Sequence, residues 1–146
     1  MIYRSETKLM KVKKVNIEAT INAPLAKVWQ FWTEPNHITN WAFASDEWHS
    51  PHAANDLAVG GKFTTRMEAK DESFGFDFSG TYNEIVLHKQ INYTMDDGRK
   101  STIDFIDQGN NTLIEQTFDA ENENPIELQK NGWQAILNNF KKYVEG

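Results

Sequence analysis

Residues 124–145, N-P-I-E-L-Q-K-N-G-W-Q-A-I-L-N-N-F-K-K-Y-V-E, read as one long helix. Asn124 is placed to cap it, Pro125 suits the first helical position, and Glu127 follows Asn124 by three residues as in a capping box. Trp133, Ile136, Leu137, Phe140 and Val144 recur at helical spacing and share one face. Lys141 and Lys142 fall in the last turn, where positive charge complements the helix dipole. Such a helix is roughly 30 Å long at 1.5 Å per residue. It needs a large apolar surface to lie on, and the chain before it reads as that surface.

Residues 12–21 alternate, with Val15, Ile17, Ala19 and Ile21 on one face, which predicts a half-buried strand. Pro24 then opens a short helix striped by Leu25, Val28, Trp29 and Trp32. Pro35 opens a second, running to about Trp41. Residues 42–61 carry no sustained period and read as a long loop, with a short extended piece near 57–59. Loops this long inside a compact domain are usually functional or mobile. A meander follows. Residues 62–70 place Phe63, Thr65, Met67 and Ala69 on one face. Residues 74–86 keep Phe74, Phe76, Phe78 and Tyr82 in phase, with Gly80 marking a bulge or bend. Ile91, Tyr93 and Met95 alternate next; Asp97-Gly98 signals a tight hairpin. Ile103 and Phe105, then Ile114 and Phe118, complete two more strands. Strands with helices segregated from them make an α+β fold. About six antiparallel strands would twist into a curl around the long helix, with the two short helices closing one end.

The chain has 146 residues and a net charge of −6, with no basic run. Nucleic-acid and anionic-membrane partners, which need concentrated positive charge, are therefore not expected. No stretch approaches the ~20 apolar residues of a membrane span. The first residues lack the apolar segment of a secretory signal. There is no cysteine, so no disulfide or thiolate chemistry is available. A cytoplasmic location is expected. Residues 1–11 are expected to be a loose extension and residues 12–146 a single domain.

Five Trp, nine Phe and four Tyr make 12% of the chain, enough to line an apolar pocket as well as fill a core. The candidate lining is Trp41, Phe43, Trp48, Phe63, Met67, Phe76, Phe78, Tyr82, Tyr93, Met95, Trp133, Leu137 and Phe140. Tyr82 and Tyr93 carry hydroxyls that either orient a ligand or satisfy a backbone carbonyl. Gly132 weakens the helix by roughly 1 kcal/mol relative to Ala, which suggests that sheet or ligand comes close there. Arg66, Glu68 and Asp77 lie out of phase with the rings and are expected to face solvent. His49-x-x-His52, with Asp46, Glu47 and Asp56 nearby, has metal-ligand residue types but lacks a rigid scaffold; no metal and no cofactor are expected. No serine sits in a nucleophile motif, and Gly60-Gly61 lacks the rest of a phosphate loop. No catalytic residue is assigned.

The blocks F-W-T-E-P-N-H-I-T-N-W (31–41), G-G-K-F (60–63), F-S-G-T-Y-N-E-I (78–85) and G-W-Q-A-I-L (132–137) resemble the START-related, birch-pollen-allergen-like superfamily (SRPBCC). Within it they look most like homologues of the C-terminal domain of the heat-shock-protein-90 ATPase activator. The resemblance spans the chain from about residue 12. It implies a helix-grip fold, in which a curved antiparallel sheet holds the C-terminal helix over a cavity. The superfamily binds lipids, sterols and polyketides, and some members are enzymes. Three roles follow: binding a small apolar molecule; a cyclase, dehydratase or hydrolase reaction in the same cavity; or a co-chaperone or other protein-interaction module. The first is preferred. The chaperone activator carries an additional N-terminal domain that the short extension here cannot replace.

Overall fold

The computed structural model describes residues 12–146; the extension expected at 1–11 lies outside them. Strand β1 (Lys14–Ile21) leads into helices α1 (Leu25–Thr33) and α2 (Pro35–Ile38). Short strands β2 (Trp48–His49) and β3 (Ala53–Asn55) come next, then β4 (Lys62–Ala69), β5 (Gly75–Val86), β6 (Gln90–Met95), β7 (Lys100–Asp107) and β8 (Thr112–Asp119). Helix α3 (Ile126–Glu145) ends the chain. The strands form one antiparallel sheet in the order β1-β8-β7-β6-β5-β4-β2, with β3 also paired to β4. The sheet is curved and unclosed, and the fold is the α+β arrangement expected.

The alternation read from sequence sets which face is buried. Val15, Ile17 and Ile21, then Phe63, Met67 and Ala69, then Ile91, Tyr93 and Met95, then Ile103 and Phe105, all point inward. The meander and β1 supply six strands. The other two come from the 42–61 segment, where β2 and β3 pair with β4 through registers such as Trp48↔Ala69 and Ala54↔Thr64. Pieces of two and three residues are too short to carry a period. The extended piece expected at 57–59 is instead a turn, closed by Gly61 N–H donating to the Ala58 carbonyl at 2.8 Å. Helix α2 stops at Ile38, short of Trp41, because the chain turns and Trp41 Nε1 donates back to the Phe31 carbonyl at 3.0 Å.

Two features of β5 shape the sheet locally. The register slips between Tyr82 and Glu84, so the bulge sits at Asn83 rather than Gly80. Gly80 serves close approach: a Cβ there would lie 2.8 Å from the Phe63 ring and 2.6 Å from the Thr94 carbonyl oxygen.

Helix α3 lies along β1, an edge strand whose outward carbonyls need partners. Gln134 Nε2 donates to the Glu18 carbonyl at 3.0 Å and Lys141 Nζ to the Thr20 carbonyl at 2.6 Å. Asn22 N–H donates to the Glu145 carboxylate at 2.7 Å. The helix start differs from the capping box expected. Pro125 occupies the cap position, with no side-chain cap. Asn124 donates from its backbone N–H and Nδ2 to the Glu121 carboxylate, at 2.6 and 2.8 Å. The buried Gln129 ties the turn from inside: it accepts from Glu121 N–H at 2.8 Å and donates to the Asn124 carbonyl at 2.7 Å.

Candidate functional site

Helix α3 packs chiefly along β1 rather than over the inner face of β4–β6. The space between is a cavity of about 330 Å³, within the ~300–1,000 Å³ range of small-molecule sites. Trp133 spans it. Its indole stacks on Phe118 of β8, with centroids 4.0 Å apart and planes at 8°, and meets Phe78 of β5 edge-on at 5.9 Å. The α1–α2 corner closes one end with Trp32, Ile38 and Trp41.

Nine of the expected residues border this space: Trp41, Phe63, Met67, Phe76, Phe78, Tyr82, Tyr93, Trp133 and Leu137. Four lie elsewhere. Phe140 is fully buried and meets the paired rings of Trp32 and Trp41 edge-on. Met95, at the end of β6, is buried core. Trp48, on the edge strand β2, packs with Phe74 and Phe76 at centroid distances of 6.2 and 6.1 Å. Phe43 is half-buried in the turn after Trp41 and does not reach the cavity. Phe74 falls just before β5 and is largely exposed. Phe76 is 40% exposed while bordering the cavity, so the space reaches solvent beside it. A Cβ on Gly132 would meet no atom within 4 Å, so the close sheet contact weighed for that position is absent.

Apart from Thr65 of β4, the polar lining falls into three groups. Tyr82 donates its hydroxyl to Asn55 Oδ1 at 2.6 Å, and Asn55 Nδ2 donates to the Thr33 carbonyl at 2.5 Å. That chain ties β5, β3 and α1 together. Deeper, Tyr93 of β6, Ser101 of β7 and Gln116 of β8 meet, with Gln116 Nε2 donating to Ser101 Oγ at 3.1 Å. Burial pushes the Tyr93 hydroxyl up to about 12, so it stays protonated. Burial also raises Tyr82. Near the start of α3, Arg99, Glu121 and Gln129 border the space. Arg99 Nε pairs with Asp97 at 2.8 Å. The Asn124 backbone N–H, more than any other group, holds the Glu121 carboxyl below its ordinary range.

Gln116, Asn55, Arg99, Glu121 and Gln129 were not foreseen as lining. Gln116 had a signal, being a polar residue in phase with Ile114 and Phe118. Asn55 sits on a three-residue strand without one. Arg66, Glu68 and Asp77 form an ion cluster away from the cavity, with Arg66 Nε 2.9 Å from Glu68 and Nη1 3.4 Å from Asp77. His49 approaches Glu68 at 3.5 Å. Among the described residues, no three His, Asp or Glu side chains gather as a metal site, and no helix is long and apolar enough to cross a membrane.

A family model described as activator of Hsp90 ATPase homolog 1-like protein matches residues 22–145. The solution structure of an AHSA1-like protein from Aeromonas hydrophila is 42% identical, with TM-score 0.86, covering 91% of this chain and 92% of that one. Chr148 from Cytophaga hutchinsonii is 52% identical, with TM-score 0.79, covering 90% and 92%. CalU16 from Micromonospora echinospora shares the fold at 18% identity and TM-score 0.67, covering 91% of this chain and 76% of that one. No curated protein matches.

Proposed function

The chain belongs to the activator of Hsp90 ATPase homolog 1-like family, and on that premise we propose that it binds a small, largely apolar molecule between the sheet and α3. The observation that carries this reading is the ring-walled cavity of about 330 Å³ spanned by Trp133. Burial of ligand surface against rings would drive binding at ~25 cal/mol per Å², before association costs. The side chains proposed to touch the ligand are Trp41, Phe63, Met67, Phe76, Phe78, Tyr82, Tyr93, Trp133 and Leu137. A cytoplasmic setting is part of the proposal, and a cysteine-free chain suits a reducing compartment.

The groups with shifted pKa that border the cavity favour binding over catalysis. Tyr82 and Tyr93 are held protonated, and the Glu121 carboxyl is held more acidic, which makes it a weaker base. The test is Trp fluorescence against a library of apolar and polyketide-like compounds. Saturable quenching is expected; a library without a binder contradicts the reading. Turnover of a bound compound would instead favour the cyclase, dehydratase or hydrolase reading. One observation favours a protein-interaction role as a second reading: Trp48, Phe74 and Phe76 form a partly exposed aromatic group at the β2 edge. Stimulation of the chaperone's ATPase by the purified protein, lost in Phe74→Ala, is its test.

A further inference from the structure

The inner face of the sheet is mostly apolar, and three of its polar side chains gather at one spot. The β7 series Ser101, Ile103, Phe105 and the β8 series Thr112, Ile114, Gln116, Phe118 face inward. Thr112, at the far end, is already committed to the Ala23 carbonyl, which leaves Ser101 and Gln116 as the polar members near Tyr93. Tyr93 lies opposite Ser101 in register, and Gln116 opposite Ile103. The three side chains are 6%, 2% and 5% exposed for Tyr93, Ser101 and Gln116, so none is a solvated surface group. Polar groups set into a sheet core lose hydration, and apolar residues of similar size would stabilise the fold at least as well. The cluster does not use all its capacity. Gln116 gives one N–H to Ser101, while its amide oxygen takes no hydrogen bond from another described residue. Both Tyr93 and Gln116 border the cavity. Tyr82 differs, because its hydroxyl is committed to Asn55.

We propose that Tyr93, Ser101 and Gln116 form a recognition site for a neutral hydroxyl on an otherwise apolar, ring-bearing ligand. The hydroxyl accepts from the Tyr93 O–H and donates to the Gln116 amide oxygen. The site disfavours a carboxylate, because Arg99 is already paired with Asp97 and Glu121 adds a second negative charge at that end. The inference rests on the cavity being a ligand site.

The test compares 2-naphthol, 2-methylnaphthalene and 2-naphthoate, which share one ring system, by calorimetric titration. On the wild-type protein, 2-naphthol is expected to bind at least about tenfold tighter than the other two, since an unpaired buried group penalises the ligand lacking its partner. In Gln116→Leu the preference over 2-methylnaphthalene should shrink to within about threefold, with 2-methylnaphthalene binding as well or better. Ser101→Ala serves if Gln116→Leu does not fold. Equal wild-type affinity for 2-naphthol and 2-methylnaphthalene overturns the hydroxyl site and leaves the cavity reading standing. Tighter binding of 2-naphthoate overturns it in favour of an anion site. Binding of none of the three overturns both. An unchanged preference in the folded variants removes these residues from the role.

Discussion

Trp133 and Phe140 sit on the same helix, yet one borders a space and the other fills one, and truncating each to Ala separates the two. Phe140 is 0% exposed, with the Trp32 and Trp41 rings edge-on at 4.9 and 4.8 Å. Phe140→Ala therefore leaves a closed void and should cost about 3–5 kcal/mol. Trp133 is half-buried, and one side already faces unfilled volume, so its removal adds little new void. What it loses is the Phe118 stack and the Phe78 edge contact, aromatic pairs worth ~0.5–1.5 kcal/mol each beyond burial. With partial burial added, about 2–3 kcal/mol is expected for Trp133→Ala. At about 3 °C per kcal/mol for a chain of this size, the Tm falls are about 6–9 °C for Trp133→Ala and 9–15 °C for Phe140→Ala. Thermal unfolding by circular dichroism reads both. Affinity for any cavity ligand should move the other way, falling at least about tenfold in Trp133→Ala and staying within about threefold in folded Phe140→Ala. If Trp133→Ala costs as much stability as Phe140→Ala and leaves affinity unchanged, the space is ordinary core and the reasoning fails.

Three smaller changes probe the scaffold. Gly132→Ala should stabilise by about 1 kcal/mol in urea unfolding, because the added Cβ meets nothing and the helix interior favours Ala; destabilisation would mean that the position is crowded. Gly80→Ala should destabilise by about 1–3 kcal/mol, since its Cβ falls against the Phe63 ring and the Thr94 carbonyl; a neutral result would show that the β5 bend tolerates a side chain. Glu145 is held below its ordinary pKa by Lys141 first and then by the Asn22 N–H. A lowered folded pKa gives stability that is present above the unfolded value near 4.5 and lost as pH falls through the folded one. Glu145→Gln should accordingly be less stable than wild type at pH 7, with the gap closing below about pH 4.5; a gap that persists in acid would contradict the ion pair.

The architecture was legible because the signals that set it are local and repeat. Period two in Val15–Ile21, Phe63–Ala69 and Ile91–Met95, and helical spacing from Trp133 to Val144, assigned faces directly. What the sequence could not reveal depends on contacts distant along the chain. β2 and β3 exist only because β4 offers them an edge. The helix start departs from the capping box because Gln129, from inside the helix, takes the place of a capping side chain at Asn124. Residues in phase with the core could not be sorted into wall and filler, since Trp133 and Phe140 share one stripe and differ only in what stands opposite. Ser101 and Gln116 broke an apolar pattern, and that breach was readable, yet only the register places them beside Tyr93.

The five tryptophans offer the most direct test of a ligand cavity between sheet and helix. Trp32, Trp41 and Trp133 border it; Trp29 packs against Phe105 and His88, and Trp48 lies at the outer edge. Indole N–H resonances followed during titration with 2-naphthol should shift saturably for Trp32, Trp41 and Trp133 and stay still for Trp29 and Trp48. A Trp133 resonance that never moves, or a largest shift at Trp48, would contradict the account.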